Sequence, residues 1–350
     1  MKKFLCFLCV LGLFFSTSGS AWAAVNLRLG HAINEDDVFH LAALKFKELV
    51  EERTSGEVTV TIFSNAVLGD ERNLLESLRM GTVDMGIITG GPVINFLPSF
   101  GVLDLPFLFS SPEHAHAVLD GPIGAGFFRE MEALGWKGLA YGERGFRNLT
   151  NNRRPVEKPE DLSGLRIRVM QNQIYIDSFT ALGANAVPMA WVEALTALQQ
   201  GTIDGQENPL NVIVAFNINE SNRYLSITRH AYSPNVIMMS MRTWNRLSPE
   251  HQEIISKSAL EAAAYNRALN RDNEAEWLQT LKDRGMHVTQ PDLALFREAT
   301  QSVYEQYEEQ FGRELIQSIL DAGMAPVDVS NLPGENRFIR FGSRGRRVDF

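Results

Sequence analysis

Arg166 and Arg168 sit two apart in Leu165-Arg166-Ile167-Arg168-Val169, a pattern that reads as a β-strand with both arginines off its apolar face. A guanidinium offers paired donors that match the two oxygens of a carboxylate, and it stays charged at any working pH. The chemistry this suggests is the gripping of an organic anion. On composition alone, a surface arginine on an amphipathic strand is the commoner case. Further along, Asp204-Gly205-Gln206-Glu207-Asn208-Pro209 gathers polar groups around one Gly and one Pro, which suits a tight turn at a site. Asn208 there can both donate and accept, so it suits hydroxyl or carboxylate groups. Trp191 opens the helix that leads to this run. Its flat face suits either a ligand's carbon skeleton or ordinary core.

Sets of residues for catalysis are missing from the sequence. The histidines are scattered, and none forms H-E-x-x-H or H-x-E with paired cysteines. There is no G-x-S-x-G, no phosphate-binding Walker loop and no cysteine nucleophile. Glu35-Asp36-Asp37 reads as a solvated helix start rather than acid/base machinery. The reading is therefore not an enzyme, with no cofactor and no metal.

The N-terminus reads as a secretory signal over residues 1–23. Lys2 and Lys3 form a basic start, residues 4–15 are apolar but too short to span a bilayer, and Ala21-Trp22-Ala23 is a cleavage site. A mature chain beginning at Ala24 would be exported to the periplasm. It would contain no cysteine, because Cys6 and Cys9 both lie in the signal, so its stability must come from hydrophobic cores. Loss of Lys2 and Lys3 takes the net charge from −9 to −11. That balance argues against nucleic-acid binding, although local field and not net charge decides whether an anion binds.

The elements that must position these residues repeat. Residues 75–84, LESLRMGTVD, and 195–204, LTALQQGTID, share the pattern L-x-x-L-x-x-G-T-[VI]-D. In each, leucines mark one helix face, Gly ends the helix and a β-branched residue opens the next strand. Two similar α/β lobes are expected. Ser248-Pro249 starts a helix that meets no Gly or Pro until Gly285. A helix of about 35 residues would run to about 50 Å, too long for one lobe. It reads as a strut between lobes, with a break near Asn270 as the alternative. Arg337, Arg340, Arg344, Arg346 and Arg347 crowd a tail at 333–350 that reads as solvated and disordered.

The strand L-R-I-R-V and the run D-G-Q-E-N-P together resemble the substrate-binding subunit of TRAP (tripartite ATP-independent periplasmic) transporters. The resemblance runs from about Leu27 to the early 320s. It implies an α/β, two-lobed periplasmic binding protein of the Venus-flytrap type, with a long helix bridging both lobes. Lobe I would hold residues 24–144 plus 234–273, and lobe II residues 145–233 plus 274–325. The protein would be soluble and monomeric. It would capture a small organic acid and deliver it to TRAP membrane subunits, with hexuronate or aldonate favoured over C4-dicarboxylate, sialate or sulfonate. Arg168 would grip the ligand carboxylate. Arg147, in Gly145-Phe146-Arg147-Asn148-Leu149-Thr150-Asn151, matches a second family arginine that contacts the ligand or fixes the pocket, and Arg144 is an alternative to it. From lobe I the resemblance and the element order offer His31 and Asn34 after the first strand. They also offer Arg72, beside Asp70 and Glu71, at the first-repeat helix. Thr89 stands where some sialate binders carry an acid. Tyr232 and Asn235 are expected before a strand beside the cleft. Two other readings stay open: a ligand receptor for a signalling protein, and a secreted hydrolase, which would need a fixed pair of cleft carboxylates.

Overall fold

The computed structural model describes residues 25–322. The signal over 1–23 and the Arg-rich tail at 333–350 lie outside the described residues. The chain opens with β1 (Val25–Gly30), α1 (Val38–Arg53), β2 (Val58–Phe63), α2 (Glu71–Met80) and β3 (Met85–Thr89). Two 3-10 turns, Gly91–Asn95 and Pro98–Asp104, follow, then α3 (Pro112–Leu119), α4 (Pro122–Ala133) and the long β4 (Trp136–Asn151). A second unit contains β5 (Arg166–Val169), α5 (Gln173–Ala181), β6 (Asn185–Pro188), α6 (Trp191–Gln200) and β7 (Gly205–Asn208). Then come α7 (Leu210–Ala215), the long β8 (Tyr224–Ser240), α8 (Met241–Trp244) and α9 (Pro249–Asp283). The described chain ends with β9 (His287–Thr289), α10 (Leu293–Ala299), α11 (Gln301–Phe311) and α12 (Arg313–Ala322).

One mixed sheet runs in the order β2-β1-β3-β8-β4-β7-β5-β6, with β9 added beside β8. Its two ends have the same design. β1 pairs in parallel with β2 and β3, and β5 pairs in parallel with β6 and β7. The repeat seen in the sequence is thus a βαβαβ unit used twice. Each copy closes in the same way. Gly81 and Gly201 end their helices at φ 75° and 68°. Thr82 and Thr202 donate to the carbonyls of Ser77 and Ala197, both at 3.2 Å. Asp84 accepts from the backbone N and Nε of Arg28 at 3.0 and 3.1 Å. Asp204 accepts from the same atoms of Arg166 at 2.9 and 3.1 Å. Each aspartate therefore fixes the strand through an arginine at its edge.

β4 and β8 join the halves as an antiparallel pair, β8 bordering β3 and β4 bordering β7. Register shifts at Gly138/Ala140, Glu143/Gly145 and Arg147/Leu149 bend this ribbon along its length. The strut expected from the sequence is one unbroken helix, α9, capped by Ser248, which accepts from His251 N at 3.1 Å. Its polar middle marks a docking surface and not a break. Asn266 Oδ1 accepts from Glu143 N at 2.6 Å, and Arg267 and Asn270 donate to the carbonyls of Tyr141 and Glu143 at 2.6 and 2.8 Å. Buried amides there satisfy backbone groups that the strand bulges leave open.

Apolar cores lie on both faces of the sheet. One joins Leu27, Phe39, Phe46 and Val60 to Leu198, Ile213, Ile255 and Ala262. Another packs Leu74, Leu78, Phe100 and Trp136 under the last helices, through Val303, Phe311 and Ile319. A third gathers Ile167, Val169, Tyr175 and Phe179. Among the described residues no helix is long and apolar enough to cross a membrane.

Candidate functional site

The ends of β1 and β5 and the starts of α2 and α6 converge on one cleft. Its walls include Ala32, Asp70, Glu71, Arg72 and Pro92 from one side and Arg168, Met170, Gln171, Met189 and Trp191 from the other. The space between these walls, counted out to its open mouth, is about 360 Å³. The repeat places the two helix starts in equivalent positions: Leu75 matches Leu195, so Glu71 stands where the second unit has Trp191.

Arg168 is 4% exposed, although its neighbour two residues away, Arg166, is turned to the edge and paired with Asp204. The Arg168 Nε and Nη2 atoms donate to the Met189 carbonyl at 3.1 and 2.8 Å. Its guanidinium carbon lies 5.4 Å from the centre of the Trp191 ring. Among the described residues no carboxylate forms an ion pair with it. Burial therefore pushes its pKa down to about 10, partly offset by Glu207, with Arg147 adding to the fall. At neutral pH it remains a cation held without a counter-ion. Such an arrangement is costly unless an anion completes it.

Arg147 differs. Its Nε and Nη2 meet Glu207 Oε2 and Oε1 at 2.5 and 2.8 Å, and Nη2 also donates to the Glu207 carbonyl at 2.7 Å. His230 Nε2 lies 3.0 Å from the same Glu207 carboxylate. Burial works against the Arg147 charge, but Glu207 outweighs it and holds the guanidinium above its usual pKa. Arg144, the alternative, pairs with Asp37 at 2.8 Å and lies over the Phe39 ring. Asp37 is therefore a buried helix cap and half of an ion pair, not a solvated acid.

The D-G-Q-E-N-P run is not a turn. Residues Gly205–Asn208 form β7, a buried strand between β4 and β5. A Cβ on Gly205 would meet the Thr150 carbonyl at 2.1 Å, so Gly allows the close approach of β4. Gln206 and Asn208 then face one another: Asn208 Nδ2 donates to Gln206 Oε1 at 2.6 Å, and Gln206 Nε2 donates to Thr150 at 2.9 Å. Asn208 is buried in β7 and is not among the residues that line the cleft. Trp191 does face the cleft, and its Nε1 is buried without a partner.

The other candidates divide. Arg72 lines the cleft, with Glu76 3.9 Å away. Thr89 ends β3, and its N donates to Glu71 Oε1 at 2.7 Å. His31 is fully buried against His40 at 3.2 Å, and burial, His40 and Arg144 together push its pKa down to about 3. Asn34 donates to the Ala215 carbonyl at 2.8 Å, tying the loop after β1 to α7, and its Oδ1 is buried without a partner. Tyr232 and Asn235 do not precede a strand; both lie inside β8. Tyr232 bonds Glu143 at 3.2 Å and Asn235 bonds Asn266 at 3.1 Å, so both serve the ribbon between the halves. Glu71 carries more weight than its place as a helix opener suggested. The repeat itself, aligned residue by residue, is the signal that would have singled it out.

The comparisons with known proteins agree with this fold. Residues 29–310 match the family described as bacterial extracellular solute-binding protein, family 7. The chain is 38% identical over 286 residues to the 2,3-diketo-L-gulonate-binding periplasmic protein of Escherichia coli, covering 81% of this chain and 87% of that one. It superposes with a TM-score of 0.83 on the sugar acid binding protein of Advenella mimigardefordensis in complex with galactonate, at 35% identity over 85% of this chain and 97% of that one. A TRAP periplasmic solute binding protein of Roseobacter denitrificans with bound β-D-glucuronate gives a TM-score of 0.81 at 31% identity, over 84% and 99% of the two chains. With its duplicated α/β units, bridging helix and arginine-bearing cleft, the chain belongs to family 7 of the extracellular solute-binding proteins, the solute receptors of TRAP transporters.

Proposed function

We propose that this receptor captures a sugar-acid monoanion, an aldonate or hexuronate, and hands it to TRAP membrane subunits after export to the periplasm and removal of residues 1–23. One observation carries the reading: Arg168 is buried at the cleft and has no carboxylate partner among the described residues. While the lobes stand apart, water serves the guanidinium. A ligand carboxylate replaces that water, and closure then buries a charge pair instead of an orphan charge. Trp191 packs the ligand's carbon skeleton beside it. Glu71 meets the hydroxyl-bearing end from the first unit. Arg147, already matched by Glu207, fixes β4 against β7 and adds positive field behind the site.

The relatives that bind diketogulonate, galactonate and glucuronate support this ligand class. The same proposal places lobe I at residues 24–144 plus 234–273 and lobe II at 145–233 plus 274–325. Helix α12 touches the first of these, since the Ile319 carbonyl lies 2.6 Å from His114 Nε2. Thermal-shift screening of an acid-metabolite library tests the function. A ligand at a hundred times its Kd adds about 2.7 kcal/mol of stability, so aldonates or hexuronates should raise Tm clearly. A library in which only C4-dicarboxylates or sulfonates do so would overturn the ligand class.

A further inference from the structure

Glu71 is the acidic counterpart of Arg168 in this cleft. It lines the same space, and its Oε1 is steadied by the backbone N of Thr89 at 2.7 Å. No arginine or lysine forms an ion pair with it among the described residues. Arg168 and Glu71 therefore face one cavity with opposite charges, and neither neutralises the other by direct contact. The internal repeat makes the asymmetry explicit. Matching Arg28 with Arg166 puts Gly30 at the place of Arg168, and a Cβ at Gly30 would already meet Leu74 Cδ2 at 2.8 Å. An equivalent arginine in the first unit would have to displace the Leu74 side chain. At the matching helix start it presents a carboxylate where the second unit presents the indole of Trp191.

We infer that Glu71 is a charge filter: it makes the receptor select sugar acids with one carboxylate and reject the matching diacids. This rests on the sugar-acid reading above and deepens it. With the ligand carboxylate on Arg168, the far end points to the first unit. A terminal CH2OH or ring hydroxyl there donates to the free oxygen of Glu71, a charge-assisted bond. A second carboxylate there can only accept, and it meets a like charge in a partly dry cleft, where repulsion is screened far less than in water. Arg72 does not cancel this effect, because it is half exposed and turned toward Glu76. Asp70, on the same wall, adds negative charge and caps α2 through Asn73 N at 2.9 Å.

The test uses two pairs: galactonate with galactarate, which differ by oxidation of the terminal CH2OH, and glucuronate with glucarate, which differ by oxidation of the anomeric carbon and opening of the ring. Calorimetry on the wild-type protein should show the monoacid of at least one pair bound at least thirtyfold more tightly than its diacid. Glu71→Gln keeps an acceptor for Thr89 N, so the variant should melt like the wild type. It should narrow the ratio at least tenfold, chiefly by strengthening diacid binding. A wild-type protein that takes diacid and monoacid alike, or a ratio that Glu71→Gln leaves unchanged, would remove the filter and leave the sugar-acid reading standing. Failure of all four compounds to bind would overturn the ligand class and the filter with it.

Discussion

Arg147 and Glu207 form a two-pronged ion pair between β4 and β7, with contacts of 2.5 and 2.8 Å and both side chains at most 1% exposed. Arg168, on the next strand, has only carbonyl partners. The two arginines should therefore respond oppositely to truncation. Arg147→Ala leaves Glu207 as a buried, half-matched charge, which typically costs about 3–5 kcal/mol. Arg168→Ala removes a charge that the ligand-free fold does not answer, so stability should stay within about 1 kcal/mol or rise. Urea denaturation of both variants without ligand checks this. Equal losses would mean that Arg168 also carries the fold.

The two helix-ending glycines offer a second contrast. Both need a left-handed backbone, so alanine at either should cost about 1 kcal/mol. At Gly201 a Cβ meets nothing within 4 Å, whereas at Gly81 it meets Arg242 Cδ at 2.8 Å. Thermal melts should show Gly81→Ala as the more damaging of the two. The reverse order would contradict the packing described around α8.

Segments 91–104 and 171–172 are tied across the two units. Asn172 Nδ2 donates to the Gly91 carbonyl at 2.9 Å and to Asp104 at 2.7 Å, and Asn95 donates to the Gln171 carbonyl at 2.8 Å. These bonds should favour the closed form, with Met170 and Gln171 as cleft walls beside them. Ligand should lower the radius of gyration in solution scattering. Asn172→Ala should speed ligand release roughly tenfold, the scale of losing two hydrogen bonds, without touching the ligand. An unchanged scattering profile at saturation would contradict closure.

Asp104 sets a pH dependence. Burial raises its pKa to about 7, with Asn172 and Arg147 opposing and Glu207 adding to the rise. A raised acid holds its proton more tightly when folded. Its stabilising share is full below the unfolded carboxylate value near 4 and is lost as pH rises through about 7. Asp104→Asn still accepts from Asn172 but cannot ionise. Its stability relative to wild type should therefore improve between pH 5 and pH 8, as read by denaturation at both. A constant difference would mean that Asp104 titrates normally.

Much of this architecture was legible in the sequence because it is local. The L-x-x-L-x-x-G-T-[VI]-D repeat encodes a helix and its glycine cap, and both form as read in each copy, while the following strand starts just after the aspartate, at Met85 and Gly205, and not at the β-branched residue. The 249–283 helix was legible from the absence of Gly and Pro. Asn266 and Asn270 looked like a weak point because their partners, the bulged backbone groups of β4, lie over a hundred residues away. The same limit hid the pairing of Arg147 with Glu207 and made β7 look like a turn. Its Gly, Asn and Pro suggest a bend, and only the close approach of Thr150 explains the glycine in a strand. Tyr232 and Asn235 were drawn toward the cleft by resemblance, and their bonds to Glu143 and Asn266 tie them to β4 and α9.

The central claim is that Arg168 grips the ligand carboxylate, and titration calorimetry with galactonate or glucuronate tests it most directly. Wild-type protein should bind at least one of them. Arg168→Ala should weaken that binding at least thirtyfold, in line with about 2–5 kcal/mol for truncating one partner of a buried charged pair. Arg168→Lys should not restore it, because an ammonium lacks the paired donors. Binding by Arg168→Ala within threefold of wild type, with the fold intact, would contradict the account.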